Sequence, residues 1–569
     1  MKHVPALTAF FVPALLCLAL YWLYVPGIHG PFLVDDIGTI VGNPFVQPRE
    51  LSVETLLQAA FSSQAGPLGR PLPMASFAID YASGGLMPEP FKRTNIILHL
   101  LITLLVFAAS KALLERLHGK EHPANWQAPL LVAALWALHP LHVSTVLYTV
   151  QRMSQLTMLF IMAALWLYVD LRNRLLAGDA RGSTWRAALL LPLFAGALLS
   201  KENGALLPVL LLVVEVVFFR FAIPARMRIS RLLLAALLVL PTLALLGYLI
   251  SLGLGMTSIS NLRDFTPAER MLTEPRQLVT YLAQFFWPDP ARMPFYFDDV
   301  IASRGLLNPR ATLGAIILCL LLLGAALACV WRNRAPLFSF AVLWFFGAHL
   351  LESTTVPLEL AFEHRNYLPL FGFAFSMGGG LWQFTRQPGH GPKLGKLLLI
   401  GIPVILAWHL HQRVTAWSSA ESFFAHTLNN VPTSARAWGD YSDYLSKQGR
   451  LREAILPLTQ AAALNPREAG YPMVVIHLKV NSFGEAPDPA LLQEALNRLK
   501  TYPLSAYGNN ILSILVNPLI EQTITPAGQQ VLKELLEAAA GNPGLKPGHR
   551  KLITLALIVL AKMASTPEP

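Results

Sequence analysis

The chain has 569 residues, 54% of them hydrophobic and only 14% charged, with a mean hydropathy of +0.48. Soluble domains average about a quarter charged residues, so this composition excludes an ordinary water-soluble enzyme and points to many membrane spans. The net charge of +11 does not indicate nucleic acid, because the basic residues sit in short loops between apolar runs, a topology signal of membrane proteins.

In chain order the apolar runs are 4–25, 94–114, 126–138, 153–171, 186–199, 204–221, 232–252, 312–330, 337–351, 368–384 and 397–409. They predict about eleven spans, since a straight crossing takes roughly 17–25 residues. The first run has a basic start but no small-residue cleavage site, so it reads as a retained span. Cys17, Cys319 and Cys329 lie in apolar runs and form no metal spacing.

Alternate loops carry Lys111, Arg116 and Lys120, then Arg172, Arg174, Arg181 and Arg186, then Arg220, Arg226, Arg228 and Arg231, then Arg332 and Arg334, and finally Arg386, Lys393 and Lys396. The positive-inside rule places these loops and the N-terminus in the cytoplasm. An odd number of spans then sends everything after the last one to the outer side. That tail, 412–569, changes character from the membrane part, 1–411. In "SARAWGDYSDYLSKQGRLREAILPLTQAAALNP", Trp438, Gly449, Ala454, Leu458, Ala461 and Pro466 stand at the offsets of a roughly 34-residue tetratricopeptide repeat. An unrelated helical domain is the alternative. The expected fold is an all-α polytopic membrane protein with a soluble, repeat-like helical domain at its C-terminus.

The chemistry-bearing residues gather at the outer ends of the spans. Asp35 and Asp36 follow the first span in "FLVDDIGTIVGNP". Their loop runs to roughly 65 residues, long enough to suggest function, and carboxylates near low-dielectric material act as bases. The same loop contains "GRPLPMASFAIDY", with Arg70. Asn95 and His99 share one helix face, where His99 either bonds a neighbouring helix or faces a cavity. His139 and His142 resemble a zinc pair without a third ligand. Arg152, Lys201, Glu202, Glu363, His364 and Arg365 flank later runs, and ionisable groups at span edges mark a site by default. The cations suit a phosphate, arginine through its planar fork. The second acidic pair, Asp298 and Asp299, reads as loop surface.

These stretches, with "ALHPLHVSTVLYTVQRMSQL", "LLSKENGALLPVLLLVVE", "EPRQLVTYLAQFFWPDP" and "FEHRNYLPLFGF", resemble the C-type superfamily of integral-membrane glycosyltransferases (GT-C). More narrowly, they are similar to the O-mannosyltransferase-like proteins that join such a membrane part to tetratricopeptide repeats, bacterial members included. The resemblance implies an acidic motif at Asp35 and Asp36, and a charged motif at Glu363, His364 and Arg365. It also implies a polyprenyl-phosphate-linked sugar donor and inverting transfer to an acceptor hydroxyl. The expected mechanism sets the donor phosphate and substrate near Arg152, Lys201, Glu202, His364, Arg365, Arg70 and His99. Asp35 or Asp36, with the lean toward Asp35, takes the hydroxyl proton. A divalent cation, Mg or Mn, is an optional bridge between the two acids and the phosphate. The acceptor is expected to be a secreted or membrane protein, pilin-like in bacterial relatives, with the membrane part in the inner membrane and the tail in the periplasm. A lipid-linked sugar transporter or flippase, and a non-catalytic membrane-anchored assembly factor, are the competing classes.

Overall fold

The computed structural model describes residues 6–63, 65–119, 126–224, 228–255, 265–386, 391–521 and 523–565. Lys120 and Arg226, placed above among the cytoplasmic cations, lie outside them. The described elements are helices, joined by loops that hold a single antiparallel bridge between Gly305 and Asn308.

Every apolar run coincides with helix, but the runs are not equal. Eight helices among the described residues are long and apolar enough to cross a membrane: Phe11–His29, Pro88–His118, Thr149–Ala177, Gly182–Ser200, Glu202–Phe219, Arg231–Leu254, Ala311–Trp331 and Lys393–Ala416. Gln127–Ala137 and Pro140–Val146 form a pair bent by 53°, a ninth crossing if the pair is one span. Against the expected eleven, eight or nine candidate spans among the described residues meet the length and composition of a crossing. Pro336–His349 has 14 residues and Leu370–Phe384 has 15. At about 1.5 Å per residue each falls short of a hydrocarbon core roughly 30 Å thick.

The chain forms two compact units. The first comprises residues 1–295 and 300–423, and the second comprises Tyr296–Asp299 and 424–569. In the first unit, the loop after the first span builds a small core of its own. Ile40, Val46, Ala59, Met74, Phe77, Ala78 and Phe91 are buried together. Ser52 and Thr55 make a capping box that starts the helix Val53–Ala60. Proline at the first position starts Pro71–Gly84.

In the second unit, Ala435–Lys447 packs against Leu451–Leu464, with the Ser442 hydroxyl donating to the Ala454 carbonyl at 2.9 Å. Ala454, Leu458 and Ala461 are buried in their interface. Asp298, expected at the loop surface, instead accepts from the Ser434 hydroxyl (2.5 Å) and the Arg436 amide (3.1 Å) at the start of Ala435–Lys447. Tyr296 donates to Asp440 at 2.7 Å. Burial pushes the Asp440 carboxyl up to about 6, against the Tyr296 bond.

Candidate active site

The two acids of the loop after the first span have separate environments. Asp36 is fully buried. Its Oδ2 accepts the Leu33 amide at 3.0 Å and its Oδ1 accepts the Val150 amide at 2.6 Å. Burial pushes its carboxyl up to about 7, opposed by the two amides and by Lys92, and aided slightly by the charge of Asp35. Asp35 is exposed, with its backbone amide donating to the Tyr148 hydroxyl at 2.9 Å. The pair divides into a buried anchor and an exposed carboxylate beside the Tyr148 hydroxyl. Each Asp36 oxygen accepts one backbone amide. Among the described residues no group of three or more His, Cys, Asp or Glu side chains could hold a metal ion.

The backbone beside Asp35 is strained. Val34 has φ of 33°, and Arg70 has φ of 51°. Left-handed backbone at a non-glycine residue costs on the order of 1–3 kcal/mol and collects at functional sites.

The charged residues of later spans converge with Arg70. Its Nη2 and Nε donate to Glu202 at 2.9 Å and 3.2 Å, and its Nη1 lies 2.8 Å from the Met153 sulfur. Gly66, at φ of 71°, presses on the same carboxylate, so that a Cβ there would stand 1.7 Å from Glu202 Oε1. Lys201 donates to Glu352 at 2.6 Å and to the Ser154 hydroxyl at 3.2 Å. Burial works against the charge on Glu352, but Lys201, Arg365 and His364 together hold its carboxyl well below the usual range. His364 stacks on Phe362 at 4.9 Å. Burial, then Lys201, Arg365 and Arg70, push its imidazole well below the usual histidine value, with Glu352 opposing. Arg365 is buried, donating to the carbonyls of Glu359 (2.7 Å) and Leu360 (3.3 Å). Across Arg70, Lys201, Arg270 and Arg365 against Glu202, Glu274 and Glu352, one positive charge is left over.

A short stretch of chain joins the acids to the cations. The Tyr148 hydroxyl binds Asp35, the Val150 amide binds Asp36, Met153 meets Arg70, and Ser154 binds Lys201. The four steps from Val150 to Ser154 rise only about 6–8 Å along a helical path.

Two expected site residues stand elsewhere. Arg152 is fully buried, its guanidinium donating to Asn95 (2.8 Å), Ser76 (3.0 Å) and the Phe91 carbonyl (2.8 Å), paired with Asp80 and lying over the Phe77 ring. With its donors committed inside the protein, it clasps the loop after the first span to the helices Pro88–His118 and Thr149–Ala177. His99 is likewise fully buried. Its Nε2–H donates to the Ala137 carbonyl at 3.2 Å and its Nδ1 accepts from the Tyr367 hydroxyl at 2.7 Å. His139 stacks on Phe285 at 5.3 Å and bonds its carbonyl, and Glu363 pairs with Arg413. Tyr148, Ser154 and Glu352 escaped the sequence reading. Only Glu352 left a signal there, as a carboxylate at the edge of an apolar run that a lysine elsewhere had to balance.

No family model matches the chain, and no solved structure matches it. Curated relatives do. The human protein O-mannosyl-transferase TMTC3 is 22% identical over 531 residues, covering 84% of this chain and 54% of that protein. The human protein O-mannosyl-transferase TMTC1 is 25% identical over 549 residues, covering 80% of this chain and 55% of that protein. The mouse TMTC1 is 31% identical over 215 residues, 35% of this chain and 21% of that protein. The chain spans about half the length of the curated relatives it matches along most of its own. It is a distant homologue of the protein O-mannosyl-transferases.

Proposed function

We propose that the chain is a membrane glycosyltransferase that moves a sugar, mannose being the first choice given the names of its relatives, from a polyprenyl phosphate to a protein hydroxyl on the outer face of the membrane. The observation that carries this reading is the Tyr148–Ser154 stretch, which holds an exposed carboxylate at one end and the Arg70–Lys201 cluster at the other. The donor phosphate is held by Lys201 and Arg70, with Arg365 adding positive field from within the protein. Glu202 and Glu352 keep the two cations in place until the phosphate arrives.

The acceptor oxygen attacks the anomeric carbon, its proton passes to Asp35, and the carbon–oxygen bond to phosphate breaks with its electron pair staying on the leaving phosphate. Inversion follows from a single displacement. General-base help of this kind is worth about 10²–10⁴-fold, and cations fixed where negative charge develops supply the larger part. Asp36 acts by fixing the turn that carries Asp35. The second unit, as a tetratricopeptide-like stack, presents the acceptor. The N-terminus lies in the cytoplasm and the second unit outside it, in a bacterial inner membrane with a pilin-like surface protein as acceptor.

The test is transfer by the full chain in nanodiscs from tritiated polyprenyl-phosphate-mannose to a threonine-rich peptide, with mass spectrometry of glycoproteins and lipid-linked sugars from cells with and without the protein. Labelled peptide, and its loss in Asp35→Asn, support the reading. Cells whose glycoproteins and lipid-linked sugars are unchanged without the protein overturn it.

A further inference from the structure

A cavity of about 320 Å³ begins two residues beyond Asp36, walled by Gly38, Thr39, Asn43, Phe45, Ser62 and Ser63 among others. Its size falls at the low end for small-ligand sites, about 300–1,000 Å³. No charged side chain lines it. The walls are built rather than incidental. Asn43 Oδ1 accepts the Phe45 amide at 3.1 Å, its Nδ2 donates to the Ser62 hydroxyl at 3.0 Å, and that hydroxyl donates to the Ala59 carbonyl at 2.8 Å. Gln47 pins the turn by donating to the carbonyls of Ile40 and Val41, each at 2.8 Å. Ile40, Val46 and Met74 pack beneath as a core. At Gly38 an added Cβ would meet nothing within 4 Å, so the backbone there stands bare. Phe45 is 55% exposed and offers an apolar face.

We propose that this cavity is the acceptor subsite: it seats a short peptide segment whose serine or threonine hydroxyl is offered to Asp35. The proposal rests on the glycosyltransferase reading above and deepens it. An inverting displacement puts the nucleophile and the departing phosphate on opposite sides of the anomeric carbon. The phosphate belongs with Arg70 and Lys201, and a cavity without a single cation is no place for it. An uncharged, hydroxyl- and amide-lined cavity whose Gly38 and Thr39 stand three and four residues along the same helical stretch from Asp35 suits the neutral partner of the reaction. The glycine wall lets an extended backbone come close, and Phe45 covers a small apolar neighbour of the reacting residue.

The test uses the full chain in nanodiscs with tritiated polyprenyl-phosphate-mannose and a Thr-Ala repeat peptide. Gly38→Leu sends a side chain into the cavity, whereas Gly38→Ala leaves most of it open. Gly38→Leu is expected to raise the KM for peptide about tenfold and Gly38→Ala by less, with the KM for donor within about twofold in both. In a Ser63→Cys chain, saturating peptide is expected to slow labelling by a water-soluble maleimide at least about threefold. This second measurement decides the matter even if Gly38→Leu does not fold. Unchanged peptide KM in folded Gly38→Leu, a rise in donor KM instead, or labelling that ignores the peptide each overturns the subsite while leaving the transferase reading intact. Absence of any transfer by the unaltered chain overturns both.

Discussion

The Val150 amide donates to Asp36 Oδ1 at 2.6 Å across 114 residues of sequence. This bond fixes the loop after the first span to the start of the candidate span Thr149–Ala177, and it separates the tasks of two adjacent aspartates. Asp35→Asn should lower transfer by about 10²–10⁴-fold with unchanged thermal unfolding, because an exposed carboxylate is lost from chemistry alone. Asp36→Asn should lower the unfolding midpoint, since one amide then faces an NH₂ group instead of an acceptor, a loss of about 1–3 kcal/mol. Thermal unfolding in detergent beside a transfer assay separates the two. Equal effects of both variants on both readouts would sink the division.

Asp36 also sets a pH dependence. Its carboxyl in the folded protein is raised to about 7, against roughly 3.9 when unfolded. The folded chain therefore holds this proton more tightly. The resulting contribution to stability is complete below about pH 4 and is lost as pH rises through 7. The unfolding midpoint should fall between pH 5 and pH 8, and fall less in Asp36→Asn. Parallel curves for the two proteins would assign the slope to other groups.

Lys201 and Glu352 form a buried pair, with side chains 9% and 5% exposed. Lys201→Ala leaves the carboxylate uncompensated, which costs about 3–5 kcal/mol. The added change Glu352→Gln should restore folding and leave donor binding weak, because the cation that meets the phosphate is still missing. Recovery of full donor affinity in the double variant would remove Lys201 from the phosphate site.

Arg152→Ala should unfold or strongly destabilise the chain, by about 3–5 kcal/mol, through the stranded Asp80 carboxylate. Arg152→Lys should recover little, because one ammonium cannot replace a fork that reaches Asn95, Ser76 and Phe91 together. Folded yield after gel filtration measures this directly. A stable Arg152→Ala chain with impaired donor binding alone would return Arg152 to the phosphate.

Gly66→Ala combines a forbidden backbone region with a Cβ 1.7 Å from Glu202 Oε1. A loss of at least about 1 kcal/mol is expected, together with a higher donor KM as Arg70 loses its partner. A donor KM equal to wild type would show that the Arg70–Glu202 pair is structural only.

The sequence pattern carried the helices well, because an apolar run needs only its neighbours to declare itself. Two of its eleven runs, Pro336–His349 and Leu370–Phe384, are apolar but shorter than the eight helices that meet the length of a full crossing. At the site, Asp35, Lys201, Glu202 and His364 stood out as charges at span edges. Their partners did not. Glu352 lies 151 residues from Lys201 and Glu202 lies 132 from Arg70, and no periodicity links such positions. Arg152 misled for a related reason. A cation beside an apolar run looks free until packing brings Asp80 and Asn95 to it, and the same holds for His99 and Tyr367.

Tyr296–Asp299 belongs to the second unit although the chain on both sides of it belongs to the first. The polypeptide therefore enters the second unit twice. Cutting the chain after Phe423 would not cleanly amputate a module. It would strand Asp298 without Ser434 and Arg436, and Tyr296 without Asp440, injuring the severed side as well as emptying the other. Swapping this unit between relatives calls for transplanting the four-residue peg along with the tail.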